Sequence, residues 1–298
     1  MSEISTYANL QVGKPGTTDY TLIRLFTDTK RSEKTREQYT YSIRMLVGFI
    51  GKPLGVMTLQ DAVDYHQWLK ERYESAHSVK LHINVAKALC AFGVKLNYLR
   101  TNVFAVIKTD TPPEVTHHRI LTEEEVLKLI DAPKRQRDKL LLRLIYAAGL
   151  RVSEVCNLTW GDLSSDGVLY IQAGKGQKDR FVTLSESMVK RLVAFKGDAT
   201  NDTPIFQSQA KNDRRRKSAT ARLDESQVHR IVKAAAESAG ISADASAHWL
   251  RHSHASHSLD RGASIVTVRD TLGHSSIATT NKYLHSKRKD SSALHLAV

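Results

Sequence analysis

The sequence predicts a mainly α-helical chain of two domains, the second of which carries one small β-hairpin. Three observations lead there. The 298 residues, 41% of them hydrophobic, are too many for one ordinary domain and enough to fill two cores. Apolar residues recur at spacings of three and four through most of the chain, the period of helices with one buried face. One stretch alternates instead: "GVLYIQAGKGQKDRFVTLS" (167–185) has a glycine-rich centre between two alternating arms, the pattern of a hairpin.

The elements follow in order. Residues 1–19 are polar, contain Gly13, Pro15 and Gly16, and read as a flexible arm. Between residues 20 and 107 lie four helical runs, "TLIRLFTDT", "TREQYTYSIRMLVGFIG", "LQDAVDYHQWLKERYE" and "SVKLHINVAKALCAFGVKLNYL". Gly51 closes the second run and Ser78 opens the fourth, so this part reads as a small all-helical domain. "IKTDTPPEVTHHR" has two prolines and no apolar period, which places a linker at 108–119. The second domain, 120–298, opens with "TEEEV", where Thr122 is the expected N-cap and Glu125 closes a capping box. "RDKLLLRLIYAAG" and "RVSEVCNLTW" are helical, with Gly149 breaking between them. After the hairpin, "AKNDRRRKSATAR" (210–222) is polar and strongly basic, either a mobile loop or a DNA-facing one; composition does not separate the two. Helical periods resume at 224–239, 246–260, 264–272 and 275–285, and the chain has no internal repeat.

Charge points to a partner. Forty-four Lys and Arg against 31 Asp and Glu leave a net charge of +13, and the pI is near 9.7. Positive charge spread along the chain suits a polyanion, most simply DNA or RNA. The two cysteines, Cys90 and Cys156, are far apart without CxxC spacing, which argues against a disulfide scaffold or a cysteine zinc site. "MSEISTYANL" lacks the basic start and apolar run of a signal peptide. "LLLRLIYAAGL" (140–150) is too short to span a bilayer and carries Arg143. The expectation is a cytoplasmic protein with no membrane partner, associated with the nucleoid when bound to DNA.

"HWLRHSHASH" (248–257) admits three readings: a metal site, a histidine-rich but chemically neutral helix, or a phosphate site. At ~100° per residue, His248, Arg251 and His252 fall within an arc of about 100°, while His254 and His257 point elsewhere. His248 and His252 have a spacing that zinc could use. The residues between them are Trp249, Leu250 and Arg251, however, and a guanidinium repels a cation. No carboxylate or thiol lies nearby in sequence, so neither a metal nor another cofactor is expected. In the phosphate reading His248 and Arg251 share a face because both address the same anion: arginine donates in a planar fork, and histidine donates or exchanges a proton.

The surrounding residues add to that reading. "AAGLRVSEVCNL" puts Arg151 just past a helix end beside Glu154, "AGKGQKDR" puts Lys175 at a hairpin tip, and "LGHSSIATTNKYLH" puts His274 before a helix that carries Tyr283. Taken together and in this order, "GLRVSEV", "GKGQKDR", "HWLRHSHAS" and "LGHSSIATTNKYLH" resemble the tyrosine recombinases, the phage integrase family. The resemblance is close from "LTEEEV" to "NKYLH" and looser in "SEKTREQYTYSIRML". It implies a helical core-binding domain followed by an α+β catalytic domain. It also implies that Arg151 and Arg251 are the family arginines, Lys175 the hairpin lysine, His248 the histidine of the His-x-x-Arg element, His274 the later histidine and Tyr283 the nucleophile. Glu154 matches the acidic residue that follows the first arginine. Trp249 stands where many members have a smaller or polar residue. Expected DNA contacts are Thr35, Arg36, Lys178, Arg180, Arg214, Arg215, Arg216 and Lys217.

The implied chemistry is coherent. Two arginines stabilise the crowded phosphorus, and Tyr283 attacks it. His248 is the candidate base and His274 a hydrogen-bond donor to the phosphate. Lys175 protonates the leaving 5′-oxygen, so that a 3′-phosphotyrosine ester retains the bond energy without metal or ATP. The implied function is site-specific recombination in a simple, Xer-type organisation. Two domains clamp double-stranded DNA, and four protomers synapse from monomers or dimers, with accessory proteins possible. Two rivals stand beside it, a type IB topoisomerase-like nicking and resealing enzyme and a DNA-binding protein without catalysis.

Overall fold

A computed structural model of the chain describes residues 18–110, 119–172, 179–208, 222–274, 276–281 and 283. The chain divides into two compact units, Met1–Glu114 and Val115–Val298.

The first unit is helical: α1 Thr18–Asp28, α2 Glu33–Ile50, α3 Leu59–Arg72 and α4 Ala76–Lys95. Each expected run forms its helix, and the ends follow local chemistry. The Ser32 side chain accepts from the Thr35 N–H to start α2, and Gly51, in the left-handed region at φ 62°, ends it. Thr58 and Asp61 form a reciprocal capping box on α3. The fourth helix starts earlier than Ser78, with Ser75 as its N-cap. Ile43, Leu46, Tyr65, Leu69, Ile83 and Phe104 are fully buried at the centre of this unit.

The second unit begins with α5 Glu123–Asp131, where Thr122 and Glu125 make the expected capping box. It continues with α6 Gln136–Ala148 and α7 Val152–Asn157. The hairpin follows: β1 Val168–Ile171 pairs antiparallel with β2 Arg180–Thr183, with Val168 opposite Thr183 and Ile171 opposite Arg180. Then come α8 Glu186–Lys196, α9 Glu225–Ser238, α10 Ala247–Asp260, α11 Ile265–Leu272 and α12 Ile277–Asn281. Helix α8 was not expected from the sequence. Only Met188 and Leu192 are buried along it, while Val193 is 60% exposed, so its apolar period is faint.

Helices α6 and α10 pack together at the middle of this unit. Leu141, Leu144, Ile145 and Leu250 are fully buried between them and their neighbours. Helix α10 has no single apolar stripe because it is enclosed on several sides. Leu250, Arg251, Ser253, Ala255, Ser256 and Leu259 are all buried, and the Ser253 hydroxyl accepts from the Leu121 N–H at 2.9 Å. The histidine-rich stretch is therefore a core helix rather than a solvated face. Both cysteines are buried free thiols. Among the described residues no helix is long and apolar enough to cross a membrane.

Candidate active site

The site is built where two helix ends meet. Helix α6 stops at Gly149 (φ 60°), and the chain turns through buried Leu150 into Arg151, the N-cap of α7. Helix α11 stops at Gly273 (φ 64°), from which the chain runs to His274, α12 and Tyr283. Glycine is required at both stops because side chains strain the left-handed region. A Cβ on Gly149 would also lie 2.8 Å from His254 Cδ2 and 2.8 Å from Leu272 Cδ2. Gly149→Ala should therefore lose about 2–4 kcal/mol of stability, the combined cost of the left-handed backbone and overpacking, in a urea titration.

Three arginines gather on one carboxylate. Arg151 donates from Nη1 to Glu154 Oε1 at 2.8 Å, and its backbone N–H reaches Glu154 Oε2 at 2.8 Å. Arg180 forms a two-pronged pair with the same group, Nη1 to Oε1 at 2.8 Å and Nη2 to Oε2 at 2.7 Å. Arg251 Nη1 stands 3.9 Å from Glu154 Oε2. Burial alone would raise the Glu154 carboxyl, but the bonds and charge of Arg180, with the bonds from Arg151, hold it down at about 2.

The same guanidinium groups cap the C-terminal end of α11. Arg180 Nε donates to the Thr271 carbonyl at 2.6 Å, Arg251 Nη2 to that of Leu272 at 2.6 Å, and Arg151 Nη2 to that of Gly273 at 3.3 Å. Carbonyls at a helix end lack intrahelical partners, and the helix dipole favours cations there. Arg251 Nη1 also donates to the Gly149 carbonyl at 2.5 Å. Burial and the Arg151 charge lower Arg251 to about 9, so it stays a cation at neutral pH. Arg151 and Arg251 both keep N–H groups beyond these bonds.

Arg180, read from the sequence as a DNA contact, is corrected here. It is only 8% exposed, and its guanidinium faces Glu154 and the end of α11 rather than solvent. The first strand position of β2 carries a structural cation. Thr35 and Arg36 lie in the exposed first turn of α2: the Thr35 N–H closes the cap, and Arg36 reaches the Lys30 carbonyl at 3.4 Å. Lys175, Lys178, Arg214, Arg215, Arg216, Lys217 and the tail 284–298 lie outside the described residues.

Tyr283 is 5% exposed, packed among Ala255, Leu259, Val268 and Leu272. Its hydroxyl is 2.5 Å from His252 Nδ1, so the residue beside the phenol is one the sequence reading left out of its site. The helical arc containing His248, Arg251 and His252 was the available signal. His248 lies one turn earlier, its ring 6.4 Å from that of His252. His274 Nδ1 bonds Thr280 Oγ1 at 2.9 Å, tying the chain after α11 to α12. His254 and His257 turn away, as expected, to the carbonyl and hydroxyl of Tyr146. Burial first, then the surrounding cations and neighbouring histidines, lower His248 and bring His252 and His274 to about 4. Burial raises Tyr283, against the pull of Arg251. Burial thus favours the neutral forms of the phenol and these imidazoles, while Arg251 keeps its charge. Among the described residues, no group of three or more His, Cys, Asp or Glu is arranged to hold a metal ion.

The Phage integrase family model matches residues 119–290, and the model for the phage integrase N-terminal SAM-like domain matches residues 23–95. Tyrosine recombinase XerA of Pyrococcus furiosus is 34% identical over 271 residues, covering 86% of this chain and 90% of that protein. Tyrosine recombinase XerD of Bifidobacterium longum is 33% identical, covering 77% and 78%. Among solved structures, a lambda integrase dimer bound to a COC′ core site matches with a TM-score of 0.75 at 20% identity, covering 91% of this chain and 95% of that one. A lambda integrase tetramer bound to a Holliday junction matches with a TM-score of 0.73 at 19% identity, covering 94% and 76%. At those identities the two structures speak for the fold.

Proposed function

The chain belongs to the phage integrase family and is a site-specific tyrosine recombinase; from that premise we propose which of its residues carry the reaction. Arg151 and Arg251 clamp the non-bridging oxygens of the scissile phosphate, Tyr283 attacks phosphorus with His248 as the candidate base, and His274 donates a hydrogen bond to the phosphate. Lys175, from the β1–β2 hairpin, protonates the departing 5′-oxygen. The observation that carries this reading is the shared anchorage of Arg151 and Arg251 on Glu154 and on the chain segment that leads to Tyr283. A clamp fixed before substrate arrives stabilises charge with little reorganisation. Glu154 and Arg180 hold the clamp in place. No metal, ATP or other cofactor enters these steps.

The partner is double-stranded DNA carrying a recombination site, gripped by the helical domain at 20–107 and the catalytic domain at 120–298. Thr35, Arg36, Lys178 and the basic run Arg214, Arg215, Arg216 and Lys217 supply further contacts. The chain is a monomer or dimer off DNA and four protomers synapse for strand exchange, a stoichiometry that the lambda integrase tetramer on a Holliday junction supports. It works on cytoplasmic, nucleoid DNA. The apolar tail SSALHLAV (291–298) docks on a neighbouring protomer.

Lys175 gives the discriminating experiment. Lys175→Ala should slow strand cleavage by about 10²–10⁴-fold, because the 5′-alkoxide then departs without a proton. Replacing the bridging 5′-oxygen by sulfur gives a leaving thiol of pKa about 8.5, whose anion departs unaided. The sulfur substrate should rescue Lys175→Ala far more than Arg151→Ala or Arg251→Ala, whose defect lies at the non-bridging oxygens. Equal rescue of all three would remove Lys175 from the general-acid role.

A further inference from the structure

The imidazole on the Tyr283 hydroxyl belongs to His252, which has no place in the six-residue set that the family resemblance supplies. His252 follows Arg251 on α10. Its Nδ1 is 2.5 Å from the phenol oxygen, and its ring also lines a polar cleft of about 850 Å³ whose walls include Arg119, Glu125, Asp244, His248 and Trp249. The ring thus stands between the buried phenol and this open cleft.

We propose that His252 is a further catalytic residue, relaying the Tyr283 proton from Nδ1 to solvent in that cleft as the phenol oxygen attacks phosphorus. The proposal rests on the reading of Tyr283 as nucleophile. The step balances. The Tyr283 O–H bond breaks and an Nδ1–H bond forms, while the oxygen–phosphorus bond forms and the phosphorus–O5′ bond breaks. The 5′-oxygen takes its proton from the general acid. The Nε2 proton passes to solvent, which leaves a neutral imidazole in its other tautomer.

The surroundings favour relay over storage. Around His252 stand His248 and Arg251 on its own helix, Arg119 from the segment before α5, and Tyr283 after α12, with Glu125 and Asp244 across the cleft. Burial and the first three of these neighbours disfavour an imidazolium, so a proton that stayed on the ring would oppose the reaction. Burial likewise keeps the phenol protonated, against the pull of Arg251, so its proton leaves only as the oxygen attacks. His248, the base candidate from the sequence, can then serve the phosphate.

The test uses the full chain and a pool of nicked duplexes with randomised cores, which trap any covalent adduct. His252→Asn places an amide near the Nδ1 position, able to hydrogen-bond the phenol but unable to relay a proton. Single-turnover adduct formation by His252→Asn should fall about 100-fold or more, with DNA affinity within twofold of wild type. Bridging sulfur should not restore the rate, because the slow event lies on the nucleophile. His252→Ala should be accelerated at least tenfold by imidazole in solution. The proposal is overturned by His252→Asn reacting within threefold of wild type, by sulfur restoring its rate, or by imidazole leaving His252→Ala unchanged. If the wild type forms no adduct, or Tyr283→Phe does form one, the reading of Tyr283 itself fails, a result distinct from any comparison among His252 variants.

Discussion

Tyr283→Phe will fold and bind DNA yet never become attached to it. The ring is the packed part of the residue, enclosed by Ala255, Leu259, Val268 and Leu272, and phenylalanine keeps that packing. The hydroxyl contributes the hydrogen bond to His252, whose loss costs about 1 kcal/mol. The thermal midpoint should therefore move by only a few degrees. The chemistry, by contrast, is all or none: with the only proposed oxygen nucleophile gone, no phosphotyrosine ester can form. A denaturing gel of the variant on nicked duplexes should show free DNA alone. An adduct on the phenylalanine variant would assign the nucleophile elsewhere.

Glu154→Gln should be among the most destabilising single substitutions in the second unit. Its carboxylate is the counter-charge shared by Arg151, Arg180 and Arg251, and its side chain is only 6% exposed. Removing one partner of a buried ionic group costs about 3–5 kcal/mol, because the remaining charges stay desolvated. The pH dependence gives a second measure. The folded-state value of about 2 lies below the ordinary 4.5, so the unfolded chain binds this proton more readily. The contribution is therefore fully present above pH 4.5 and is lost as pH falls towards 2, amounting to about 3 kcal/mol. Guanidinium titrations across that window should show wild type losing this increment and Glu154→Gln lacking it. Identical slopes in the two proteins would refute the role of Glu154.

Much of this was legible in the sequence because short-range chemistry decided it. The Thr122–Glu125 capping box, the stops at Gly51 and Gly149 and the alternating arms at 168–171 and 180–183 each depend on residues a few positions apart, and each forms as read. Helix α8 was missed because it buries too little to show a period. Arg180 was misread for the opposite reason. A basic residue beside a glycine-rich hairpin reads as exposed, and only the fold brings Glu154 and the end of α11 to it, from 26 and 91 positions away. His252 shares a helical face with His248 and Arg251, which sequence can show. Its approach to Tyr283 joins positions 31 apart, a contact that no local pattern encodes.

The arginine cap on α11 has a bearing on how the protein behaves in concentrated electrolyte. Ions screen charges that water can reach, and at 1 M salt the screening length shrinks to about 3 Å. Lysines and arginines that meet DNA phosphates lose their hold steeply under those conditions. The pairs of Glu154 with Arg180 and Arg251 are enclosed, with side chains 5–7% exposed, and mobile ions cannot enter between them. Brine that elutes the protein from a DNA column should therefore leave these internal pairs in place.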